Sequence, residues 1–444
     1  MAVRFSTLFC VAVLCLRASQ LFADDWPQWM GPTRDDVWRE QGILEKFPPS
    51  GPKILWRIPI AGGYAGPSVA GGKVYVTDFV RADGEFKNDP GARAELKGKE
   101  RVLCLSATDG KEVWKHEYDC PYNISYASGP RATPAISGGK VYSLGAEGHL
   151  CCLDAESGKI HWSKELKKEY KIESPYWGFC GHPLIDGKKL FCVVSPAAVA
   201  VAFDKDTGKE LWRALSTSAA DAGYCPPKII EAGGTRQLLI WHPESLNSLD
   251  PETGKLYWSQ PLKPQYGMSC AMPQQSGDSL FVTAIGKCAV LFRLDRSKPA
   301  ATIAWEATPT TGVFCSNSTP SLDGSTIYGA DCEVGCLRAV KLATGDRLWE
   351  TFKPTSGGDR RASHGNAFLT KNGDRYFLFS ETGDLILARL TPEKYDEISR
   401  AHLLEPTNEA FGRPVVWSHP AYANRCIFVR NDKEIVCANL AASP

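Results

Sequence analysis

Nine residues of types that bind ligands or metals share one kind of position, shortly before a run of β-forming residues. Imidazoles bind metals and transfer protons near neutral pH, whereas aromatic and amide side chains orient small polar ligands. Three of the eight histidines of the chain belong to this set. Its members are Tyr64, Arg131, Trp177, His182, Met272, Asn317, His364, Asn366 and His419.

These residues would form a pocket for a polar ligand or, the interpretation we favour, line a water-filled channel. A metal site on His182, His364 and His419 requires their imidazoles to converge within bonding distance. The third, seventh and eighth copies, which carry them, need not bring them together, and the cysteine spacings match no zinc motif. We therefore predict no metal site. The sequence contains no GxSxG, HExxH or phosphate-binding loop, and we assign no catalytic residue.

The elements that would position these residues are clearest in residues 131–164, RATPAISGGKVYSLGAEGHLCCLDAESGKIHWSK. Four short runs of β-forming residues are separated there by glycine-bearing turns, which is typical of consecutive antiparallel strands. The pair Cys151-Cys152 lies inside the third run, so its side chains should point to opposite faces rather than form a disulfide. One such meander cannot bury both of its faces without copies on either side.

Copies of this unit recur along most of the chain. A proline precedes the first strand of seven copies, and Ala367 takes its place in another: Pro67, Pro134, Pro183, Pro227, Pro273, Pro320 and Pro420. The fourth strands carry tryptophans, which lie 44 to 58 residues apart and should dock neighbouring blades: Trp56, Trp114, Trp162, Trp212, Trp258, Trp305 and Trp349. This period is typical of four-stranded propeller blades.

The order of these markers predicts how the ring closes. Trp56 precedes the first proline and no tryptophan follows Pro420, so residues 54–59 should complete the last copy. We predict an all-β fold, an eight-bladed β-propeller of four-stranded antiparallel blades, closed when the N-terminal strand joins the last blade. It would span residues 53–444 as one domain.

The first 52 residues have a different character. Residues 1–23 are predicted to be a signal peptide, because Arg4 precedes an apolar run and a small residue precedes the cut. That run is too short to cross a bilayer, and no later segment is a transmembrane candidate. Residues 24–52 should lie irregularly against the propeller. The predicted location is therefore periplasmic or secreted.

The net charge bears on the kind of partner, and the cysteine content bears on possible disulfides. The net charge is +1 without a basic stripe, which argues against nucleic acid as the main partner. In an oxidising compartment some of the 16 cysteines could pair. Cys332 and Cys336 flank a three-residue turn, and Cys426 and Cys437 would face each other across a hairpin. These two pairs are candidate disulfides.

Five segments resemble the tryptophan-docking repeat of the pyrroloquinoline-quinone propeller family: TDGKEVW (108–114), ESGKIHW (156–162), DTGKELW (206–212), ETGKLYW (252–258) and ATGDRLW (343–349). The resemblance implies the propeller fold. Catalytic members of that family bind the quinone and calcium, and cover the quinone with a vicinal disulfide. They have longer chains, so we carry over the fold and no catalytic residue.

Function is expected on the face that carries the long loops, among them residues 79–101, because binding residues concentrate on loops held by a rigid scaffold. We predict a monomeric, non-catalytic scaffold, similar to the BamB-like propellers, that binds a protein or cell-envelope partner and needs no cofactor. One alternative is an oxidoreductase that acts on alcohols or sugars with pyrroloquinoline quinone and calcium. A second is a carbohydrate or small-ligand binder that uses Trp177 and Tyr64.

Overall fold

Eight four-stranded antiparallel sheets surround one axis in the computed structural model, which describes residues 24–83, 88–358 and 360–442. The first strands of neighbouring sheets contact each other, so they lie innermost. We call the strands of each blade A to D from the axis outward. The predicted signal peptide lies outside the described residues.

The strands of each blade follow in the order A to D. Blade 1 contains Ser68–Ala70, Lys73–Arg81, Gly98–Ser106 and Glu112–Asp119, and blade 2 contains Ala135–Ser137, Lys140–Leu144, His149–Asp154 and Ile160–Glu165. Blade 3 contains Leu184–Asp186, Lys189–Ser195, Ala198–Asp204 and Glu210–Ala214, and blade 4 contains Lys228–Ala232, Thr235–His242, Ser245–Leu249 and Leu256–Pro261. Blade 5 contains Gln274–Ser276, Ser279–Ala284, Cys288–Leu294 and Ala301–Glu306, and blade 6 contains Ser321–Asp323, Thr326–Asp331, Cys336–Lys341 and Arg347–Thr351. Blade 7 contains Ala367–Asn372, Arg375–Ser380, Asp384–Leu390 and Tyr395–His402, and blade 8 contains Ala421–Ala423, Cys426–Arg430, Glu434–Asn439 and Lys53–Pro59.

The ring closes as the sequence predicts. The N-terminal strand Lys53–Pro59 runs antiparallel to Glu434–Asn439 and is strand D of blade 8, with Lys53 opposite Asn439 and Pro59 opposite Glu434. Trp56 pairs with Cys437 in that ladder. The first regular strand of the chain and its last hairpin therefore form one sheet, and the predicted fold is confirmed.

A β-bulge interrupts the ladder between strands C and D in every blade. In blade 2, Cys152 pairs with Trp162 and Leu153 pairs with Ile160, which leaves His161 as the extra residue. A bulge sets two residues against one and bends the strand. The residue before the docking tryptophan is thus left at the surface, as Val113 is at 47 % exposure, while the buried Trp114 faces the next blade.

At five junctions the docking indole packs against a glycine of the neighbouring blade. The pairs are Trp56 with Gly110, Trp114 with Gly158, Trp162 with Gly208, Trp212 with Gly254 and Trp305 with Gly345. Gly158 has φ +70°, and a Cβ there would come within 2.5 Å of the Trp114 ring. This position therefore requires glycine for two reasons, the left-handed backbone and the close approach of the indole. The recurring Gly-Lys turn is a docking surface as well as a turn.

Hydrogen bonds of the indoles add to this contact. Five indole N–H groups donate to a carbonyl of the next blade at 2.8–3.0 Å: Trp56 to Ala107, Trp114 to Ala155, Trp162 to Lys205, Trp305 to Leu342 and Trp349 to Thr391. Trp258 donates instead to Gln237 of its own blade at 2.8 Å. The Trp212 nitrogen has no partner. The junction after blade 3 therefore lacks an indole hydrogen bond, but it has ion pairs of Arg236 with Asp186 at 2.6 Å and of Lys189 with Glu252 at 2.5 Å.

Loops between strands B and C, and links from D to the next A, emerge on one face of the ring, here called the loop face. Residues 79–81 and 98–101 continue strands B and C of blade 1, so the predicted loop 79–101 is shorter than expected and covers residues 82–97. Two small two-stranded sheets lie on this face. One pairs Ala94–Leu96 with Tyr122–Ile124, and the other is a hairpin of Asn408–Ala410 and Arg413–Val415. The α-helix Leu166–Tyr170 and the 3₁₀ helix Gln265–Gly267 lie in links between blades.

The fourteen cysteines of the described residues are free thiols, and the two candidate disulfides stay predictions. Cys437 pairs with Phe428 rather than Cys426, so the two cysteines are diagonal neighbours on one face of the sheet, with their thiols in contact. Cys336 pairs with Asp331, and Cys332 sits in the turn without a cross-strand partner. No helix within the described residues has the length and apolar character needed to cross a bilayer.

Gly158→Ala should lower the free energy of unfolding more than Gly139→Ala in the same blade. Both glycines have φ near +70°, but nothing lies within 4 Å of a Cβ at Gly139. Each alanine costs about 1–2 kcal/mol for the left-handed backbone. Overpacking against Trp114 should add about 1–3 kcal/mol at position 158 alone. Equilibrium urea denaturation measures the difference, and equal losses would show that the indole contact contributes nothing.

Candidate functional site

The central channel is filled from one side by the N-terminal segment of residues 26–38, here called the plug. Its backbone joins the inner strands of three blades: Trp26 exchanges two hydrogen bonds with Val69 at 2.8 and 2.9 Å, Pro27 accepts from Ile136 at 2.7 Å, and Asp36 accepts from Lys371 at 2.9 Å. Trp26 and Trp38 also belong to the largest apolar cluster, together with residues of blades 1, 7 and 8. Of the segment 24–52, which we predicted to lie against the propeller, residues 26–38 therefore lie inside the ring.

Two charged side chains anchor the plug across the channel. Arg34, 4 % exposed, donates to the carbonyls of His182, Pro183 and Pro227 at 3.0–3.2 Å. Burial lowers the pKa of this guanidinium to about 9. Asp36, 5 % exposed, accepts from Thr370 at 3.0 Å and pairs with His419 at 2.9 Å. Arg34 thus holds blades 3 and 4, and Asp36 holds blades 7 and 8.

Three of the predicted mouth residues form the walls around this plug. Trp29 stacks on His182 with ring centroids 4.3 Å apart and meets His419 edge-on at 6.1 Å. Met272 packs with Trp29 and Met30 in a separate apolar cluster. These residues contact protein where we predicted an open channel. Within the described residues, His182, His364 and His419 do not form a three-ligand group for a metal.

His182 couples plug packing to pH. Its Nδ1 accepts the Thr133 N–H at 2.9 Å, so the ring is a neutral acceptor. Burial, followed by the nearby charges of Arg34 and His419, holds the pKa of His182 well below 6.5. The unfolded chain binds a proton on this residue near pH 6.5 and the folded chain does not, so its contribution to stability is present above pH 6.5 and is lost as pH falls.

Replacing His182 by glutamine, which can still accept from Thr133, should reduce the dependence of stability on pH. Between pH 6.5 and 5 the wild-type unfolding free energy should fall more steeply than that of the variant, by up to about 1.4 kcal/mol per pH unit for one proton. Urea titrations across this range measure both slopes. Parallel slopes would mean that His182 protonates equally in the two states.

The other predicted residues lie nearer the loop face, and several of them serve to hold loops. Arg131 donates to the carbonyls of Gly129, Ser125 and Tyr126 at 2.6–2.7 Å, and its guanidinium covers the Tyr64 ring at 5.5 Å. Its hydrogen-bonding capacity is therefore largely used by its own loop. The Tyr64 hydroxyl accepts from Asn408 at 3.2 Å.

Three of the four remaining predicted residues do not share an environment. Trp177 meets Tyr224 edge-on at 5.4 Å, across the boundary between blades 3 and 4. Asn317 is half-buried and accepts from Ser316 at 3.1 Å. Asn366 is buried, and its Nδ2 has no protein partner. The nine positions therefore surround the channel at different depths and do not converge on one pocket.

Four aromatic rings on the loop face make a continuous series, here called the aromatic arc: His364, Phe411, Trp417 and Tyr126. His364 stacks on Phe411 at 4.7 Å, Phe411 meets Trp417 at 6.3 Å, and Trp417 meets Tyr126 at 6.0 Å. Phe411 is 44 % exposed and the other three are half-buried. The arc extends from the link before blade 7 to the link before blade 2.

Backbone strain coincides with this arc. His364, Phe411 and Tyr126 have φ of 58°, 51° and 51°, in the left-handed region that bulky residues rarely adopt. Such conformations cost about 1–3 kcal/mol each and cluster where function requires a fixed geometry. Glycine or asparagine would adopt them at lower cost. Three of the four arc residues therefore retain a ring where the backbone favours a smaller side chain.

Buried polar groups hold the arc from below. Glu381, 2 % exposed, pairs with Arg413 at 2.8 Å and accepts the Trp417 indole N–H at 3.0 Å. Burial raises the pKa of Glu381, and the hydrogen bonds from Arg413 and Trp417 oppose that rise. Because the indole nitrogen is bound, Trp417 presents its ring rather than its polar edge. On the other side, Arg131 fixes the carbonyl of Tyr126.

Sequence reasoning identified His364 but missed Tyr126, Phe411 and Trp417. One local signal was available. Phe411-Gly412 joins two short strands with φ of 51° and 72°, the two-residue turn that normally carries Asn-Gly. A phenylalanine in such a turn indicates selection for something other than stability.

Phe411→Asn should be more stable than Phe411→Ala by about 1 kcal/mol. Both variants lose the ring contact with His364, but only asparagine relieves the cost of the left-handed backbone. Chemical denaturation of the two proteins measures this difference directly. If alanine proves equal or better, the turn at residues 411–412 is not the source of strain.

The vicinal cysteine pair of blade 2 differs from the disulfide that covers the quinone in catalytic members of the family. Cys151 and Cys152 pair with Ser143 and Tyr142 inside blade 2 and enter separate apolar clusters on opposite faces of the sheet. Both are buried free thiols. Adjacent residues that point apart cannot form the vicinal disulfide that covers the quinone in catalytic members. This pair therefore does not fit that part of a quinone site.

Comparison with known proteins gives two kinds of relative. Quinohemoprotein alcohol dehydrogenase ADH IIB of Pseudomonas putida is 28% identical over 231 residues, which are 48% of this chain and 31% of the relative. The outer membrane protein assembly factor BamB of Nitrosomonas eutropha is 22% identical over 204 residues, 40% of this chain and 49% of the relative. The chain thus spans less than half the length of either.

Solved structures agree on the fold alone. BamB from Moraxella catarrhalis has a TM-score of 0.53 at 17% identity and covers 83% of this chain and 99% of its own. Quinohemoprotein alcohol dehydrogenase from Comamonas testosteroni has a TM-score of 0.58 at 12% identity, with 95% and 81% covered. The family model described as outer membrane protein assembly factor BamB matches residues 98–351, more than half of the sequence. The chain therefore belongs to this family of pyrroloquinoline-quinone-like propeller repeats.

Proposed function

We propose that this protein is a non-catalytic scaffold, periplasmic or secreted, that binds a protein partner through the aromatic arc on its loop face. One observation carries the proposal: the arc presents partly exposed rings on strained backbone. Strain of this kind lowers stability, so its retention favours a role in recognition. The arc also lies on loops supported by a rigid ring.

The chemistry of the arc suits a protein surface. Aromatic side chains supply large contact areas with few rotatable bonds, and they are enriched at the energetic centres of protein interfaces. Trp417 and Phe411 offer ring faces, while Glu381 and Arg413 satisfy each other beneath them. A partner that inserts apolar side chains between these rings would therefore displace water without breaking buried ion pairs.

Site-specific photocrosslinking tests the proposal. A photoreactive benzoylphenylalanine replaces Phe411 in one variant and Ile160, which is 43 % exposed on the outer strand of blade 2, in the other. In the cell envelope of the native host, the probe at position 411 should give a discrete adduct with another protein. The probe at position 160 should give none, because it matches Phe411 in exposure but lies outside the arc.

A second variant tests whether formation of the adduct depends on the aromatic arc. Trp417→Ala should reduce the adduct from position 411 several-fold while leaving the fold intact, since Trp417 is half-buried at the surface. No adduct at 411, or the same adducts from both positions, would contradict the proposal.

The alternatives are checked with purified protein: dye reduction with quinone, calcium and alcohols or sugars would identify an oxidoreductase, and loss of the adduct on adding free sugar would identify a carbohydrate binder.

A further inference from the structure

Three side chains of metal-binding type meet at the boundary between blades 1 and 2. Glu100 comes from strand C of blade 1, Cys120 from the link that follows Glu112–Asp119, and His149 from the start of strand C of blade 2. One ligand atom of each lies within 4.8 Å of the other two. Glu100 and Cys120 are buried and His149 is half-buried.

The spacing of the two softer ligands matches a bound ion. Cys120 Sγ lies 3.6 Å from His149 Nδ1. A tetrahedral zinc ion holds sulfur at about 2.3 Å and imidazole nitrogen at about 2.0–2.1 Å, which places the two ligand atoms about 3.6 Å apart. The sulfur and nitrogen could therefore bind one ion without moving relative to each other.

Glu100 is oriented by groups of the kind that surround carboxylate ligands. Its carboxylate accepts hydrogen bonds from the Tyr118 and Tyr122 hydroxyls, each at 2.5 Å, and from the Ala146 N–H at 2.9 Å. Gly145 makes room for it, since a Cβ there would lie 2.1 Å from Glu100 Oε2. Ligating carboxylates typically have such outer hydrogen bonds, which fix their direction.

We propose that Glu100, Cys120 and His149 bind a divalent ion of the zinc class, independently of the function proposed for the arc. One carboxylate and one thiolate balance the two positive charges of the ion, and His149 completes a mixed N, O and S set that zinc accepts. The Cys120 thiol releases its proton to solvent when its sulfur coordinates. A fourth position remains for water.

The site would act as a clamp between blades. It joins strand C of blade 1, the link to blade 2 and strand C of blade 2, at a boundary that also contains the docking of Trp114 on Gly158 and the ion pair of Lys73 with Glu156. The link from Cys120 continues to Tyr126, a member of the arc. Metal binding in this position would stabilise both the blade boundary and the loop that carries Tyr126, because free energy of binding to the folded state adds to folding.

Cobalt(II) is the probe, because a cobalt–thiolate bond gives a near-ultraviolet charge-transfer band and tetrahedral cobalt gives strong visible bands. The full mature chain, freed of metal, should develop both on addition of one equivalent of cobalt. Zinc should then displace the cobalt and raise the melting temperature. Cys120→Ser and His149→Gln should each weaken binding by more than about 100-fold, beyond the 10–100-fold typical of outer-shell changes.

Two matched variants make the result specific. Cys104→Ser removes another buried thiol of blade 1, and His116→Gln removes another histidine of the same blade; both should keep the spectrum. If the wild-type protein gives no thiolate band, or if the band survives Cys120→Ser, the three residues form only a hydrogen-bonded group and the proposal is wrong. Cys120→Ser changes one buried atom, so a folded variant is expected for this comparison.

Discussion

The contact between a tryptophan of one blade and a glycine turn of the next is the interaction on which the structure depends. Trp114 lies on Gly158, and its indole N–H binds the Ala155 carbonyl at 3.0 Å. The contact needs a β-bulge to turn the indole toward its neighbour and a left-handed glycine to receive it. Repetition of these features around the ring gives a rigid support for everything on the loop face.

That rigidity explains how the protein tolerates costly features near its axis. Arg34 is buried against three carbonyls without a carboxylate in hydrogen-bond contact, and Phe411 occupies a left-handed turn. Buried charge and backbone strain each cost free energy that only a strongly determined scaffold can hold in place. The plug fills the channel from one side, and the arc occupies the opposite, loop-bearing side. The partly exposed rings of this side are thus at the surface of the molecule and not in an open pore.

Periodic features were predictable from sequence because they recur. Seven tryptophans and the glycine turns are in register, so the eight blades and their closure followed directly. The plug occurs once and has no period, which is why His182 and His419 were expected at an open mouth. Phe411 and Trp417 lie on loops whose geometry depends on distant blades. Glu100, Cys120 and His149 come from three elements, and their spacing in the chain has no motif to reveal them.

Closure by Lys53–Pro59 also imposes an order on biogenesis. This strand is synthesised long before its partner Glu434–Asn439, so the pairing joins residues that lie far apart in the sequence. Contacts of such separation form slowly, and until then blade 8 leaves an unpaired edge that invites aggregation. A truncated product would keep that edge permanently, and proteases would find it. The seam between these two strands therefore distinguishes closed rings from open ones.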